Sequence, residues 1–362
     1  MALILSSLGQ IPAMNIDDVI DVRSPSEYAE DHLPGAVNLP VLDDAERARI
    51  GTIYKQRSPF LARKLGAALV ARNAAAHLEG PLAEKPGGWR PLIYCWRGGQ
   101  RSGSFAAILA QVGWRVELID GGYQAWRKLV VAEVQDRPVP APVVVLDGNT
   151  GTAKTDILAL LAVRGIQVID LEGLANHRGS LFGNMPGGQP SQKAFEGRLA
   201  MILSGLDPER PVLIEAESSK IGKLVIPKQL WAAMRAAPRI RITAPLTARA
   251  EYLVRAYGDV TMDQARVVGV IEKLRPFHAA SVIDGWLAMA ATGRFVPLAQ
   301  ELMQRHYDPR YEKHRVRVEG QTKTVVDWPA LTPDALESLA DVVVGKLERD
   351  FSRSQSGKVY PS

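Results

Sequence analysis

Cysteine is almost absent from this sequence: among 362 residues, only Cys95 carries a thiol. A single thiol excludes an intrachain disulfide framework and a cysteine-rich zinc site. We name no set of metal-ligating residues. A chain without disulfides suits a reducing compartment, and we therefore expect a cytoplasmic protein.

Long hydrophobic runs are also lacking, and no stretch reaches the roughly 18 apolar residues that a membrane span requires. The short apolar run near residue 2 has no basic segment before it, because the first arginine is Arg23. We therefore expect no signal peptide and no membrane partner.

Neither sign of charge dominates, since 44 Lys and Arg residues face 39 Asp and Glu residues, for a net charge of +5. This basic excess is compatible with an RNA partner, although many basic proteins never contact nucleic acid. With 46% hydrophobic residues the composition is that of a globular chain, and the length predicts two or three domains.

The first region alternates short apolar runs with a helical pattern. Residues 17–23, 91–95 and 115–120 are typical of short strands, and residues 103–113 have helical spacing that ends at Gly113. Strands that alternate with helices predict a parallel sheet covered on both faces.

Cys95 lies in the stretch YCWRGGQRSGS, between an apolar strand and the predicted helix. Free amides of such a turn, with Arg97 and Arg101, would lower the pKa of the thiol and favour a nucleophilic thiolate. Gly98 and Gly99 would let the amides converge on one anion. The alternative is a buried, inert cysteine. The candidate loop residues are Cys95, Trp96, Arg97, Gly98, Gly99, Gln100, Arg101 and Ser102.

Residues 10–130 resemble the rhodanese family. The stretch DVRSPSEYAEDHLPGAVNLP (21–40) is similar to the first signature of that family, and GWRVELIDGGYQAW (113–126) is similar to its closing segment. The resemblance implies a rhodanese-like parallel sheet, with Cys95 as a nucleophile that carries sulfur or selenium.

The length of the cysteine loop sets it apart from many sulfurtransferases of this family, which read Cys-x4-Arg-Ser. This loop reads Cys-x5-Arg-Ser, from Cys95 to Ser102, which is the spacing of cysteine-dependent phosphatases with a rhodanese-like fold. We expect a wider cradle that receives a phosphate-bearing donor.

A second glycine loop follows the proline-rich residues 135–142, after an apolar run and before a helical pattern. It resembles a phosphate-binding P-loop with Ala153 in place of the last glycine, a change that a negative φ would tolerate. Lys154 would neutralise phosphate, and Thr155 could bind Mg²⁺ or a phosphate oxygen. The candidate diphosphate-binding residues are Gly148, Asn149, Thr150, Gly151, Thr152, Ala153, Lys154 and Thr155.

Further candidates follow the next predicted strands, residues 166–173 and 210–218. Glu215 and Glu217 share one side of an extended chain and could serve a metal or act as a base, or could be ordinary solvated carboxylates. The segment that follows the first of these strands offers a diphosphate or RNA contact, with a structural turn as the alternative. Its candidates are Asp170, His177 and Arg178.

Two basic segments with aromatic residues, 51–64 and 305–318, fit RNA binding through phosphate contacts and base stacking. The alternative is a solvated basic face. The candidate tRNA contacts are Lys55, Arg57, Arg305, Tyr307, Arg310, Tyr311, Lys313 and Arg315.

The complete layout resembles the bacterial tRNA 2-selenouridine synthase family. Residues 46–70, 170–183, 189–199, 214–222 and 306–311 are similar to stretches of that family, with Ala153 and His306 as departures. The resemblance implies conversion of the wobble 2-thiouridine in a tRNA anticodon stem-loop. Geranyl diphosphate would first alkylate the sulfur, and selenophosphate would then supply selenium.

The predicted fold class is α/β. We expect a rhodanese-like domain at residues 1–134, a linker at 135–142, a P-loop NTPase-like domain at 143–320 with a mostly helical later part, and a C-terminal helix and tail at 321–362. The final helix would span 332–351, with Thr332 as its cap and Pro333 in its first turn.

Two other functions fit some of these features. One is a rhodanese-like phosphatase or arsenate reductase with an appended phosphate-binding domain, which would need only the Cys95 loop. The other is a P-loop regulator without enzymatic activity that senses redox state through its cysteine.

Overall fold

The computed structural model describes the backbone of residues 2–316 and 322–356 and the side chains of residues 2–312 and 324–349. These residues form two compact units. The first contains the chain up to Arg137 together with Pro190–Gly205, and the second begins at Pro138 and contains the rest. Residues 190–205 therefore join the first unit, although they follow the predicted linker in sequence.

A five-stranded parallel sheet forms the centre of the first unit, as the alternating pattern predicted. Its strand order is β1-β5-β4-β2-β3. The strands are β1 (Ala2–Leu3), β2 (Asp18–Asp21), β3 (Ala36–Asn38), β4 (Pro91–Tyr94) and β5 (Glu117–Ile119).

Helices cover this sheet, and side chains of β4 and of α4 share its core. Every residue of β4 is buried, which fits its central place between β2 and β5. The helices are α1 (Pro25–Glu30), α2 (Asp44–Gln56), α3 (Pro59–Glu79), α4 (Gln100–Val112), α5 (Gly122–Val131) and α8 (Gln192–Ser204), and a π-helical turn (Ala132–Asp136) extends α5. That turn includes the first two residues of the predicted linker.

A buried ion pair explains part of the first sequence signature. Asp21 and Arg23 are both fully buried and form a salt bridge of 2.6 Å. Tyr94 donates a hydrogen bond to Asp21 at 2.8 Å, and Arg23 also donates to the carbonyl of Asp31 at 2.6 Å. A buried charge pair is tolerated only with such additional hydrogen bonds, so these signature residues organise the core.

The second unit contains another parallel sheet, in the order β12-β11-β6-β8-β7. Its strands are β6 (Val143–Gly148), β7 (Gln167–Ile169), β8 (Val212–Glu215), β11 (Arg239–Thr243) and β12 (Thr322–Asp327), and β9 (Lys220–Ile221) and β10 (Leu224–Val225) form a separate antiparallel pair. Strand β11 lies in the part predicted as mostly helical, and β12 lies in the segment predicted as a C-terminal helix and tail, so both segments contribute to this sheet.

Helices make up most of the later part of the second unit. They are α6 (Lys154–Val163), α7 (Leu171–Ala175), α9 (Lys228–Ala236), α10 (Leu246–Ala256), α11 (Gly258–Thr261), α12 (Gln264–Glu272), α13 (Ala280–Ala291), α14 (Phe295–Leu302), α15 (Asp308–Val316) and α16 (Pro333–Ser356). Helix α16 begins at Pro333 as predicted. In the part of the chain that the structure describes, no helix has the length and apolar character to cross a membrane.

Candidate functional site

The Cys95 thiol lies where β4 ends, and α4 begins at Gln100, so Arg101 and Ser102 belong to the first turn of that helix. The cysteine is 3% exposed, and the hydroxyl of Ser102 donates to its sulfur at 3.2 Å. Burial raises the pKa of the thiol, but the Ser102 hydroxyl, nearby amides and the charge of Arg101 outweigh burial and hold the pKa below its ordinary value. The thiol is therefore buried and yet disposed to ionise.

Two glycines with positive φ, Gly98 in the loop and Gly122 in the closing segment, allow the backbone of these two segments to pack closely. Gly122 has a φ of +57°, and a Cβ there would lie 2.3 Å from the carbonyl oxygen of Cys95. Gly98 has a φ of +67°, and a Cβ there would lie 2.7 Å from the carbonyl oxygen of Ile119. The amide of Tyr123 donates to the Cys95 carbonyl at 2.8 Å. Gly122 and Tyr123 thus support the loop. Both lie in the closing segment, but the sequence alone did not predict this role.

The two arginines of the loop have different surroundings. Arg101 forms a salt bridge to Glu27 at 2.6 Å and so connects α4 to α1. Arg97 is exposed and donates to Gln124 at 3.1 Å. Trp96 stacks on Tyr123, with ring centroids 5.2 Å apart. Arg97 is consequently the loop arginine with access to an incoming anion, while Arg101 acts on the thiol through its charge.

The phosphate loop follows β6 and leads into α6. Ala153 adopts the left-handed conformation with a φ of +60°, so the negative φ that would tolerate alanine at this position is not present. This conformation explains the glycine of the common pattern, because a Cβ is disfavoured there. Here the methyl group is buried in the core of the second unit.

Lys154 folds back over the loop that precedes it. Its Nζ donates to the carbonyl of Gly148 at 3.0 Å and lies 5.9 Å from the centre of the Tyr311 ring. Burial lowers the pKa of Lys154, but Tyr311, Glu172 and other acidic groups outweigh it, and the pKa lies above its ordinary value. The ammonium group therefore stays charged. Tyr311, predicted as an RNA contact, lies beside the phosphate loop.

Glu172 connects the loop to two carboxyls near the end of β8. It accepts a hydrogen bond from Thr155 at 3.0 Å, shares another with Glu217, and its amide donates to Glu215 at 2.8 Å. Burial, with the neighbouring Glu172, raises the pKa of Glu217 to about 8, and burial raises that of Glu215 well above its ordinary value. Glu215 is fully buried, so the alternative of a solvated carboxylate is wrong for this residue. Sequence reasoning missed Glu172.

The binding of Mg²⁺ at Thr155 stays a prediction. Glu172 and Glu217 share a hydrogen bond, and a cation bound beside them would lower their pKa values. Thr155 is engaged with Glu172. Over the residues described here, no three His, Cys, Asp or Glu side chains form a metal-binding group.

The structure places the remaining candidates after β7 in local contacts. Asp170 caps α7 by accepting from the amide of Gly173 at 2.7 Å. His177 is buried, and its Nδ1 accepts from the amide of Gly179 at 3.2 Å. Arg178 forms a salt bridge of 2.9 Å to Asp259. These contacts favour the structural turn, although Gly179 itself lies directly against the carboxyls of Glu172 and Glu217.

The predicted RNA contacts are divided between the two units. In the first unit, Lys55 and Arg57 are exposed beside the exposed aromatic side chains of Tyr54 and Phe60. In the second unit, Tyr307 packs against the helical core and is not an exposed stacking platform.

Two other arginines of the second segment have local partners. Arg305 pairs with Glu301 at 2.5 Å, and the guanidinium of Arg310 lies 5.1 Å from the Phe277 ring centre. The side chains of Lys313 and Arg315 lie outside the described residues.

Comparison with known proteins places the chain in a family. Residues 10–129 match the rhodanese-like domain, and residues 141–281 match the tRNA 2-selenouridine synthase AAA domain. A protein of Aeromonas salmonicida (strain A449) named tRNA 2-selenouridine synthase is 32% identical over 86% of this chain and 93% of its own length. The chain belongs to the tRNA 2-selenouridine synthase family.

Other relatives with the same name match different fractions of the chain. The tRNA 2-selenouridine synthase of Chromohalobacter salexigens is 41% identical over 67% of this chain and 65% of its own length. That of Shewanella oneidensis is 30% identical over 88% of this chain and 95% of its own length. In this member of the tRNA 2-selenouridine synthase family, each unit carries one candidate site at the carboxyl end of a parallel sheet.

Proposed function

We propose that this protein converts the wobble 2-thiouridine of tRNA to 2-selenouridine in two steps, with geranyl diphosphate and then selenophosphate as co-substrates. The observation that carries the proposal is the presence of two anion sites with different chemistry. One holds a charged lysine over a phosphate loop, and the other holds a cysteine disposed to ionise. The names of the relatives support tRNA as the substrate.

The first step takes place at the phosphate loop. The thiocarbonyl sulfur attacks C1 of the geranyl group, the C1–O bond breaks, and diphosphate leaves. Lys154 and the loop amides stabilise the negative charge that develops on the leaving group. Alkylation of the sulfur makes the N3 proton of the base acidic, and that proton passes to the ionised member of the pair in which Glu172 and Glu217 share a hydrogen bond.

The second step takes place at the Cys95 loop. Selenium of selenophosphate attacks C2 of the S-geranyl base, the C2–S bond breaks, and geranylthiol leaves. The Cys95 thiolate then attacks phosphorus, which forms an S–P bond and breaks the Se–P bond, and water releases phosphate from the cysteine. This route needs no oxidant, whereas a perselenide formed from a thiol and selenophosphate would require one. It also suits the Cys-x5-Arg spacing and the exposed guanidinium of Arg97.

Two variants separate the steps in a reconstituted reaction with a 2-thiouridine-containing anticodon stem-loop. We expect Cys95→Ser to retain geranylation and lose selenation, and Lys154→Ala to lose geranylation by a factor of about 100 or more. Mass spectrometry of the nucleosides measures both products. Geranylation that survives in Lys154→Ala would refute the role of the phosphate loop. Phosphate release from aryl phosphates without tRNA, and without base modification, would favour the phosphatase alternative.

A further inference from the structure

An apolar cavity lies beside the phosphate loop of the second unit. It has a volume of about 90 Å³, and helices α10, α11, α12 and α14 provide most of its walls. The wall residues include Leu253, Tyr257, Val260, Val267, Leu298 and Leu302.

The cavity is continuous with the phosphate loop. Thr150, a loop residue, forms part of its wall. A Cβ at the neighbouring Gly151 would lie 3.0 Å from Cγ of Leu253, which is itself a wall residue, so α10 packs directly on the loop. Arg249 of the same helix donates to the carbonyl of Thr150 at 3.1 Å and fixes this contact. A ligand held by the loop therefore has the apolar walls next to its phosphate end.

We propose that this cavity holds the hydrocarbon chain of the prenyl diphosphate whose diphosphate group binds to residues 148–155. This inference rests on the proposed function, because it gives the alkyl donor its second contact. A ligand with a charged head and an apolar tail matches an anion-binding loop that opens onto apolar walls.

The same walls disfavour a nucleotide at this loop. The ribose and base of a nucleoside triphosphate carry many polar groups, and the mainly apolar wall, with hydroxyls only at a few residues such as Ser180, Tyr257 and Tyr307, offers them few hydrogen-bond partners. The cavity thus selects an isoprenoid diphosphate over ATP or GTP.

Filling the cavity tests this assignment. Ala299 is a small, partly buried wall residue on α14, and Ala299→Phe places a ring in the space that the chain would occupy. Titration calorimetry with geranyl diphosphate and with inorganic diphosphate separates the contribution of the hydrocarbon chain to binding from that of the diphosphate group. We expect Ala299→Phe to weaken geranyl diphosphate by about tenfold or more and to leave inorganic diphosphate unchanged.

Ala233→Phe is the matched control. Ala233 is also partly buried and lines a different cavity, together with Val143 at the amino end of β6, whereas the phosphate loop follows the carboxyl end of that strand. It should leave both affinities unchanged. Thr261→Ile, on another wall, replaces Ala299→Phe if that variant melts before the control does.

The outcomes separate the two proposals. Wild-type protein that binds inorganic diphosphate but not geranyl diphosphate would refute the proposed function and the cavity assignment together. Wild-type protein that transfers geranyl, with a filled-cavity variant that binds geranyl diphosphate equally well, would refute the cavity assignment alone. A selective loss of geranyl diphosphate in the filled-cavity variant supports both.

Discussion

At the scale of single residues, the thiol of Cys95 is governed by a few atoms around it. Its burial opposes ionisation, and the short contact with Ser102 is the first of the effects that favour it. Because the chain contains no other cysteine, the reactivity of this thiol can be measured without background.

Replacement of Ser102 by alanine should raise the pKa of the Cys95 thiol, since it removes the hydroxyl that donates to the sulfur. We expect alkylation by iodoacetamide at pH 7 to slow severalfold, with the midpoint of its pH profile moved upward. An unchanged profile would mean that the loop amides and Arg101 alone stabilise the thiolate.

Gly122 offers a second test at this scale. Gly122→Ala would place a methyl group against the Cys95 carbonyl at a positive φ, and should cost at least about 2 kcal/mol of unfolding free energy. Gly103→Ala is the control: nothing lies within 4 Å of a Cβ there, and alanine in the interior of α4 should stabilise by about 0.5–1 kcal/mol. Denaturant titration measures both, and equal effects would contradict the account of the loop.

At the scale of elements, the carboxyl ends of β6 and β8 and the first turn of α7 bring Lys154, Glu172, Glu215 and Glu217 together. The carboxyl groups are stabilised in their protonated form. A carboxyl whose pKa is higher in the folded state binds protons more tightly there, so its contribution to stability is complete at low pH and is lost as pH rises.

The stability of the second unit should therefore fall between pH 5 and pH 8 through these groups, with Glu217 losing its contribution around its pKa of about 8. Glu217→Gln keeps the neutral form at every pH. It should raise the melting temperature at pH 8 by roughly 2–4 °C and flatten the dependence on pH. Parallel melting curves for wild type and variant across this range would exclude a proton on Glu217.

The elements also show how far sequence reasoning reached. The glycine loops predicted where Cys95 and Lys154 would lie, because strand, loop and helix follow one another locally. Strand β11 alternates buried and partly buried residues over only five positions, and such a short run between helical patterns gave no clear signal. Glu172 and Tyr311 meet the phosphate loop from distant parts of the chain, a contact that only the tertiary fold creates.

At the scale of the whole molecule, the proposed function divides two reactions between the units, with alkylation in the second and selenium chemistry in the first. Conversion of the sulfur to a thioether makes it a better leaving group, which gives a chemical reason for two sites in one chain. The net charge of +5 and the exposed side chains of Lys55 and Arg57 agree with tRNA as the substrate of both proposed steps.

Mass spectrometry of nucleosides from bulk tRNA tests this central claim most directly. Cells with selenium supplied would carry the wild-type protein, Cys95→Ser, Lys154→Ala or no copy of the protein. The account predicts 2-selenouridine only with wild type, S-geranyl-2-thiouridine accumulating with Cys95→Ser, and unmodified 2-thiouridine with Lys154→Ala. Equal amounts of 2-selenouridine with and without the protein, or its formation by Cys95→Ser, would contradict the account.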